Sequence, residues 1–156
     1  MKRLELIKGQ IIQRKGDLNS KVFKVESGLL RSYTIDEKGK EHIYQFGPED
    51  WIIADATPHN TKSKLYIDCL EDSVVYQLEK NFDLLLSESS KISKRLEVLQ
   101  NRVIMLMSAS ALERYEHFVE TYPSIIQRVS NKMIASYLGI TPEALSRIRK
   151  ELSNRK

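Results

Sequence analysis

The sequence predicts an α+β chain: a small antiparallel sandwich or jelly-roll barrel, then helices that end in a helix-turn-helix pair. Three observations predict it. Between residues 4 and 79, short apolar or alternating runs are punctuated by turn residues. Near Lys80 the hydrophobic period changes from two to about three and a half. After residue 129, two short amphipathic segments flank a single glycine, Gly139.

Eight runs read as strands: 4–7, 11–12, 22–25, 29–33, 42–46, 51–53, 65–70 and 74–78. Turns fall at Lys8-Gly9, Gly16-Asp17, Ser27-Gly28, Asp36-Glu37-Lys38-Gly39, Gly47-Pro48 and Glu71-Asp72-Ser73. The one long excursion, residues 55–64 with Pro58 and Asn60, is a natural place for a ligand lid.

Phe82, Leu85 and Leu86 predict a short helix, closed by Ser87-Glu88-Ser89-Ser90. Ile92, Leu96, Leu99, Val103 and Leu106 then repeat at alternating four- and three-residue steps. That stripe fits a helix packed on its own barrel or a two-stranded coiled coil with a second subunit; the second reading is adopted. Ser110 and Glu113 form a capping box for a helix that carries Leu112, Tyr115, Phe118 and Val119 inward and stops at Tyr122-Pro123. Domain boundaries follow: a barrel over 1–90, a dimerisation helix over 91–107 and a helix-turn-helix domain over 108–156, with a hinge near 107–110.

In the last segment, Met133, Ile134, Tyr137 and Leu138 recur at helical spacing before Gly139. Thr141 can cap the next helix and Pro142 suits its first position, where a missing N–H costs nothing. Ala144, Leu145, Ile148 and Leu152 form the buried stripe of that helix. Glu143, Ser146, Arg147, Arg149 and Lys150 lie off it, which suits reading a DNA major groove. The plainer alternative is a helical hairpin with a solvated charged face.

Charge points the same way. The 156 residues carry a net charge of +4. Residues 1–90 hold 13 basic against 15 acidic side chains, 91–129 hold 6 against 4, and 130–156 hold 6 against 2. The positive excess is concentrated over the helix-turn-helix, where phosphate counterions would be displaced. Hydrophobic content of 41% is that of a globular chain. No apolar run approaches the ~20 residues of a membrane span, and the first residues lack a secretory segment, so the cytoplasm is expected. The single cysteine, Cys69, excludes an internal disulfide and reads as a core side chain. His42, His59 and His117 show no ligand spacing, so neither a metal nor any other cofactor is expected.

A small barrel, a long helix and a C-terminal helix-turn-helix together resemble the Crp/Fnr family of bacterial transcription regulators. The resemblance is carried by Glu113-Arg114-Tyr115, Tyr122-Pro123 and Ile134-Ala135-Ser136-Tyr137-Leu138-Gly139-Ile140-Thr141-Pro142-Glu143-Ala144-Leu145-Ser146-Arg147-Ile148-Arg149, a run similar to a subgroup frequent in Bacteroidetes. Arg14-Lys15-Gly16-Asp17, Val25-Glu26-Ser27-Gly28-Leu29-Leu30-Arg31 and Gly39-Lys40-Glu41 resemble that family's barrel turns. The resemblance implies a double-stranded β-helix sensor domain, a homodimer, promoter DNA as partner and RNA polymerase as a further one. By position it puts base contacts at Pro142, Glu143, Ser146 and Arg147. Lys132, Thr141, Arg149 and Lys150 are assigned to phosphates.

Departures from the family pattern bear on the ligand. Members that bind cyclic nucleotide carry a Gly-Glu pair for the ribose and an Arg-Ser pair for the phosphate. Here the first is absent and the second reads Ser63-Lys64, and lysine lacks the donor fork that a buried phosphate needs. The expectation is a degenerate pocket around Asp55, Ser63 and Lys64 that does not bind cyclic AMP, with the effector unnamed. Without a leading helix or a terminal hairpin wing, modest DNA affinity is also expected. Two other readings stay open: a sensor or dimerisation module with a vestigial helix-turn-helix, and a cupin-type metal-binding protein. No catalytic arrangement stands out, so the chain reads as a non-enzyme.

Overall fold

Alternation along the first eighty residues produces two antiparallel sheets. The computed structural model describes residues 1–58, 60–80 and 89–154, and it divides into two units, Met1–Lys80 and Asn81–Lys156. The first contains β1 (Lys2–Leu6), β2 (Ile11–Gln13), β3 (Val22–Ser27), β4 (Leu30–Ile35), β5 (Glu41–Gly47), β6 (Ile52–Ala54), β7 (Tyr66–Cys69) and β8 (Ser73–Leu78). All eight expected strands are present. One sheet runs β1-β8-β3-β6 and the other β2-β7-β4-β5.

The period-two rule explains what fills the space between them. Along β3, Phe23 and Val25 are buried while Lys24 between them is exposed. They join Leu6, Leu30, Ile53, Ile67, Cys69 and Val75 in one apolar cluster. Cys69 is thus the core side chain that the sequence suggested, and burial pushes its thiol up to about 11. Gly28 turns the chain between β3 and β4 at φ 91°; a Cβ there would collide with Ser73 Oγ and come within 2.6 Å of the Asp72 carbonyl.

The sheet containing β4 and β7 also buries charge. Arg31 on β4 and Asp68 on β7 are register partners. The guanidinium donates from Nε to Asp68 Oδ1 at 2.9 Å and from Nη2 to Oδ2 at 3.0 Å, a bidentate fork. Its Nη1 reaches Glu41 Oε2 at 2.6 Å, and its face lies 4.1 Å from the centre of the Tyr33 ring, which stacks on Tyr66. Burial opposes the charge on Arg31, but the bonds from Asp68 and Glu41 outweigh it and hold the guanidinium above its ordinary pKa.

The second unit contains α1 (Ser89–Ser108), α2 (Ala111–Thr121), α3 (Asn131–Leu138) and α4 (Pro142–Asn154). The capping box forms as the sequence implied: Ser110 N donates to Glu113 Oε2 at 2.7 Å and Glu113 N to Ser110 Oγ at 3.3 Å. Phe118, Tyr122 and Tyr137 pack as a ring trio with centroids 5.4–5.5 Å apart. Ile125, Ile134, Leu138 and Leu145 are fully buried around them. The short helix expected around Phe82, Leu85 and Leu86 lies outside the described residues, as do the side chain of Ile92 and all of His59.

Removing Asp68 leaves a buried guanidinium with only its bond to Glu41. Asp68→Ala is expected to lower stability by about 3–5 kcal/mol, and adding Arg31→Met to recover much of the loss. Urea unfolding of the single and double variants checks this. A double variant no more stable than the single one would remove the ion pair from the account.

Candidate nucleic-acid interface

The turn between α3 and α4 follows from its residues. Ser130 opens α3, its side chain accepting from Met133 N at 3.3 Å. Gly139 closes it in the left-handed region at φ 67°. Ile140 N then returns to Ala135 O at 3.0 Å and Gly139 N to Ser136 O at 3.4 Å, the pairing of a Schellman motif. Two residues later Thr141 Oγ1 accepts from Ala144 N at 3.2 Å, so α4 starts at Pro142 with its cap in place.

On α4 the two faces separate as expected. Leu145 and Ile148 are buried, and Ala144 and Leu152 are half-buried. Pro142, Glu143, Ser146, Arg147, Arg149 and Lys150 are all exposed, as are Thr141 and, on α3, Lys132. The structure adds detail about each. Glu143 has its pKa lowered, first by its own backbone amide, then by the Thr141 hydroxyl and by Arg147 one turn on. Thr141 is therefore engaged as donor and acceptor within the helix start. Ser146 Oγ donates to the Pro142 carbonyl at 3.0 Å. Arg149 Nη1 donates to Asn131 Oδ1, tying α4 to the start of α3.

Sequence reasoning missed the residue that joins these helices. Arg114, in the first turn of α2, donates from Nη2 to Leu106 O at 2.7 Å, from Nε to Ala109 O at 3.1 Å and from Nη1 to Leu138 O at 3.2 Å. One guanidinium thereby satisfies carbonyls from the end of α1, from the α1–α2 connection and from the last turn of α3. A signal was present: a cation in a first helical turn opposes the helix dipole and must find partners elsewhere. Arg102 of α1 reinforces the same place, its guanidinium 4.0 Å from the centre of the Tyr137 ring and its Nη2 3.4 Å from Tyr137 O.

The rest of α1 shows a broader apolar surface than the stripe drawn from spacing. Leu96 is 65% exposed and Val103 54%, while Leu99 and Leu106 are half-buried. Val98, Ile104 and Met107, which the stripe omitted, are exposed as well, Met107 at 80%.

In the first unit, the residues expected around an effector hold their own loop together. Asp55 is buried and accepts from the backbone amides of Thr57 at 2.9 Å, Lys64 at 2.6 Å and Leu65 at 2.9 Å. Burial would raise its pKa, but those amides outweigh it and lower it. Ser63 Oγ donates to Arg14 O at 2.6 Å, and the Lys64 side chain is exposed. Nearby, Lys80 Nζ donates to Ser20 Oγ at 2.6 Å and to the Thr57 carbonyl at 2.8 Å. Among the described residues, no group of three or more His, Cys, Asp or Glu side chains could hold a metal ion. None of the described helices is long and apolar enough to cross a membrane.

Residues 3–87 match the cyclic nucleotide-binding domain, over half of the chain. The chain belongs to that family. Relatives that it resembles over most of its length are named as regulatory proteins. It is 29% identical over 164 residues to the regulatory protein HlyX of Actinobacillus pleuropneumoniae, covering 90% of this chain and 67% of that protein. It is 26% identical to the fumarate and nitrate reduction regulatory protein of Yersinia pestis, covering 90% of this chain and 64% of the relative. The chain thus spans about two thirds of the length of these relatives. Solved structures share its fold. FixK2 from Bradyrhizobium japonicum superposes with a TM-score of 0.83 at 18% identity, over 99% of this chain and 85% of that one. A CRP/FNR-family transcriptional regulator from Thermus thermophilus gives 0.78 at 15% identity, over 99% and 87%.

If Arg114 is the donor that those three carbonyls require, Arg114→Ala lowers stability by about 1.5–3 kcal/mol, the range for bonds from a charged donor. Arg114→Lys recovers only part, because an ammonium lacks the planar fork. Denaturant midpoints of the full chain give the comparison; an Ala variant as stable as the parent contradicts the assignment.

Proposed function

We propose that this Crp/Fnr-type chain binds promoter DNA as a homodimer and regulates transcription in the cytoplasm, through a helix-turn-helix like that of the subgroup frequent in Bacteroidetes. One observation carries the reading: α4 buries Leu145 and Ile148 while it exposes Glu143, Ser146, Arg147, Arg149 and Lys150, directly after a left-handed glycine turn. That face suits the major groove. Arg147 can bridge guanine O6 and N7, Glu143 can accept from a cytosine amino group, and Pro142 and Ser146 lie beside them on the first turns. Lys132 and Lys150 contact phosphates, with Arg149 after release from Asn131. Thr141 shapes the helix start more than it contacts the backbone, since its hydroxyl is engaged there.

The dimer surface is the exposed side of α1, where Leu96, Val103 and Met107 follow at seven- and four-residue steps. Two copies related by a two-fold axis would reach half-sites about 34 Å apart, one turn of the duplex. The first unit is the jelly-roll sensor. With Asp55 and Ser63 engaged by their own loop, the pocket around them and Lys64 is degenerate, and cyclic AMP is not its ligand. The proposed role requires no catalysis.

In a mobility-shift titration on an enriched promoter fragment, Arg147→Ala is expected to weaken binding by about 1–3 kcal/mol and relax base preference. Affinity falls steeply with salt, and each phosphate-contacting lysine removed lowers that slope by about one. Binding that ignores both salt and Arg147 would favour a sensor module with a vestigial helix-turn-helix.

Val103→Lys places charge in the centre of the dimer surface. Light scattering at micromolar concentration is expected to show a dimer for the parent chain and a monomer for the variant. A parent chain that is monomeric, or a variant that remains dimeric, refutes this surface.

A further inference from the structure

Between α2 and the last turns of α4 lies a groove that neither the core nor the proposed duplex contact uses. It is open to solvent, with a volume of about 690 Å³, within the range of binding sites. Val119 of α2, Ile126 of the connection to α3 and Leu152 of α4 converge on it, each half-buried. Three elements thus contribute to one apolar floor, which a merely solvated helix face does not have. Tyr115 also lines the groove and is only 8% exposed. Its hydroxyl has no hydrogen-bond partner among the described residues. The side-chain atoms buried without a partner there are Gln13 Oε1 and Ser32 Oγ, so the Tyr115 oxygen keeps a surface that an occupant can meet.

The α2 rim of the groove is acidic. Glu116 and Glu120 stand one helical turn apart and both are exposed. Like charges at this spacing repel, and among the described residues neither carboxylate has a cation partner. Arg149 lies on the α4 side, but its guanidinium is held by Asn131.

That charge selects the occupant. Two unpaired carboxylates repel phosphate groups, which excludes both a duplex and an anionic membrane from this face. A small hydrated cation gains nothing from an apolar floor. Apolar groups beside ammonium or guanidinium groups match both features, and two helical walls accept a helix laid between them. We propose that this groove docks an amphipathic helix of a protein partner. Its apolar side chains meet Val119, Ile126 and Leu152, and its lysines or arginines, one turn apart, meet Glu116 and Glu120. This goes beyond the promoter reading and does not depend on it: the base contacts proposed above lie on the first turns of α4, whereas the groove takes the last.

The test uses the full chain, labelled with ¹⁵N, and a fluorescein-tagged peptide of leucine and lysine in amphipathic helical order. The peptide is about fifteen residues long, so that a helix can form. Two companions replace every lysine by glutamate or every leucine by serine. In anisotropy titrations the leucine–lysine peptide is expected to bind, and each companion at least tenfold more weakly. The same peptide shifts the backbone amide signals of Glu116, Val119, Glu120, Ile126 and Leu152. Glu116→Gln combined with Glu120→Gln, isosteric changes at exposed positions, weakens it at least fivefold. Glu37→Gln combined with Glu97→Gln removes the same charge at exposed positions outside the groove and leaves binding unchanged. No binding of the leucine–lysine peptide, or signals that move elsewhere, refutes the site. Equal binding of the glutamate companion refutes the acidic rim, and equal binding of the serine companion refutes the apolar floor. Equal weakening by the two double variants reduces the effect to net charge and refutes docking. Tenfold tighter binding to a chain carrying Arg155→Gln and Lys156→Gln makes the chain's own end the occupant and overturns the partner. None of these readouts involves DNA, so their failure is separate from failure of the promoter-binding reading.

Discussion

Short helices leave backbone groups unpaired at their ends, and the C-terminal unit depends on how those groups find partners. α3 has only eight residues, so its terminal carbonyls are a large part of its hydrogen-bonding capacity. The Gly139 turn satisfies those of Ala135 and Ser136 from within the chain. Arg114 takes that of Leu138 and, with the same planar group, two more near the end of α1. This arrangement ties the last turn of α3, from which α4 departs, to the end of α1 and to the α1–α2 connection.

Much of the fold was legible because its causes are local. Strand runs and turns alternate at short range, so all eight strands could be read, down to β2 with only three residues. The capping box at Ser110 and Glu113 and the glycine closing α3 are also signals within a few positions. What escaped reading is non-local. Arg31 meets Asp68 across 37 positions, and Arg114 meets Leu138 across 24. A charged residue inside an apolar strand run announces that a partner exists without saying which. The exposed face of α1 was drawn too narrowly because spacing alone cannot tell which apolar residues the rest of the unit already covers.

The candidate site on α4 was more legible than the ligand end of the first unit. Periodicity separates inside from outside on an amphipathic helix, so Glu143, Ser146, Arg147, Arg149 and Lys150 could be placed on its open side from sequence. A pocket inside a sandwich has no such period. Asp55 and Ser63 look like ligand-binding side chains in a one-dimensional reading, yet backbone groups of the loop and of Arg14 already engage them.

The bond from the Ser146 hydroxyl to the Pro142 carbonyl has a consequence for the proposed reading of a duplex. With its only hydrogen turned back into the helix, this side chain offers lone pairs alone. It can meet the amino edge of adenine or cytosine but finds nothing to complement in the keto oxygens of guanine or thymine. If α4 enters a major groove as proposed, that one backbone carbonyl would make this serine favour amino over keto edges.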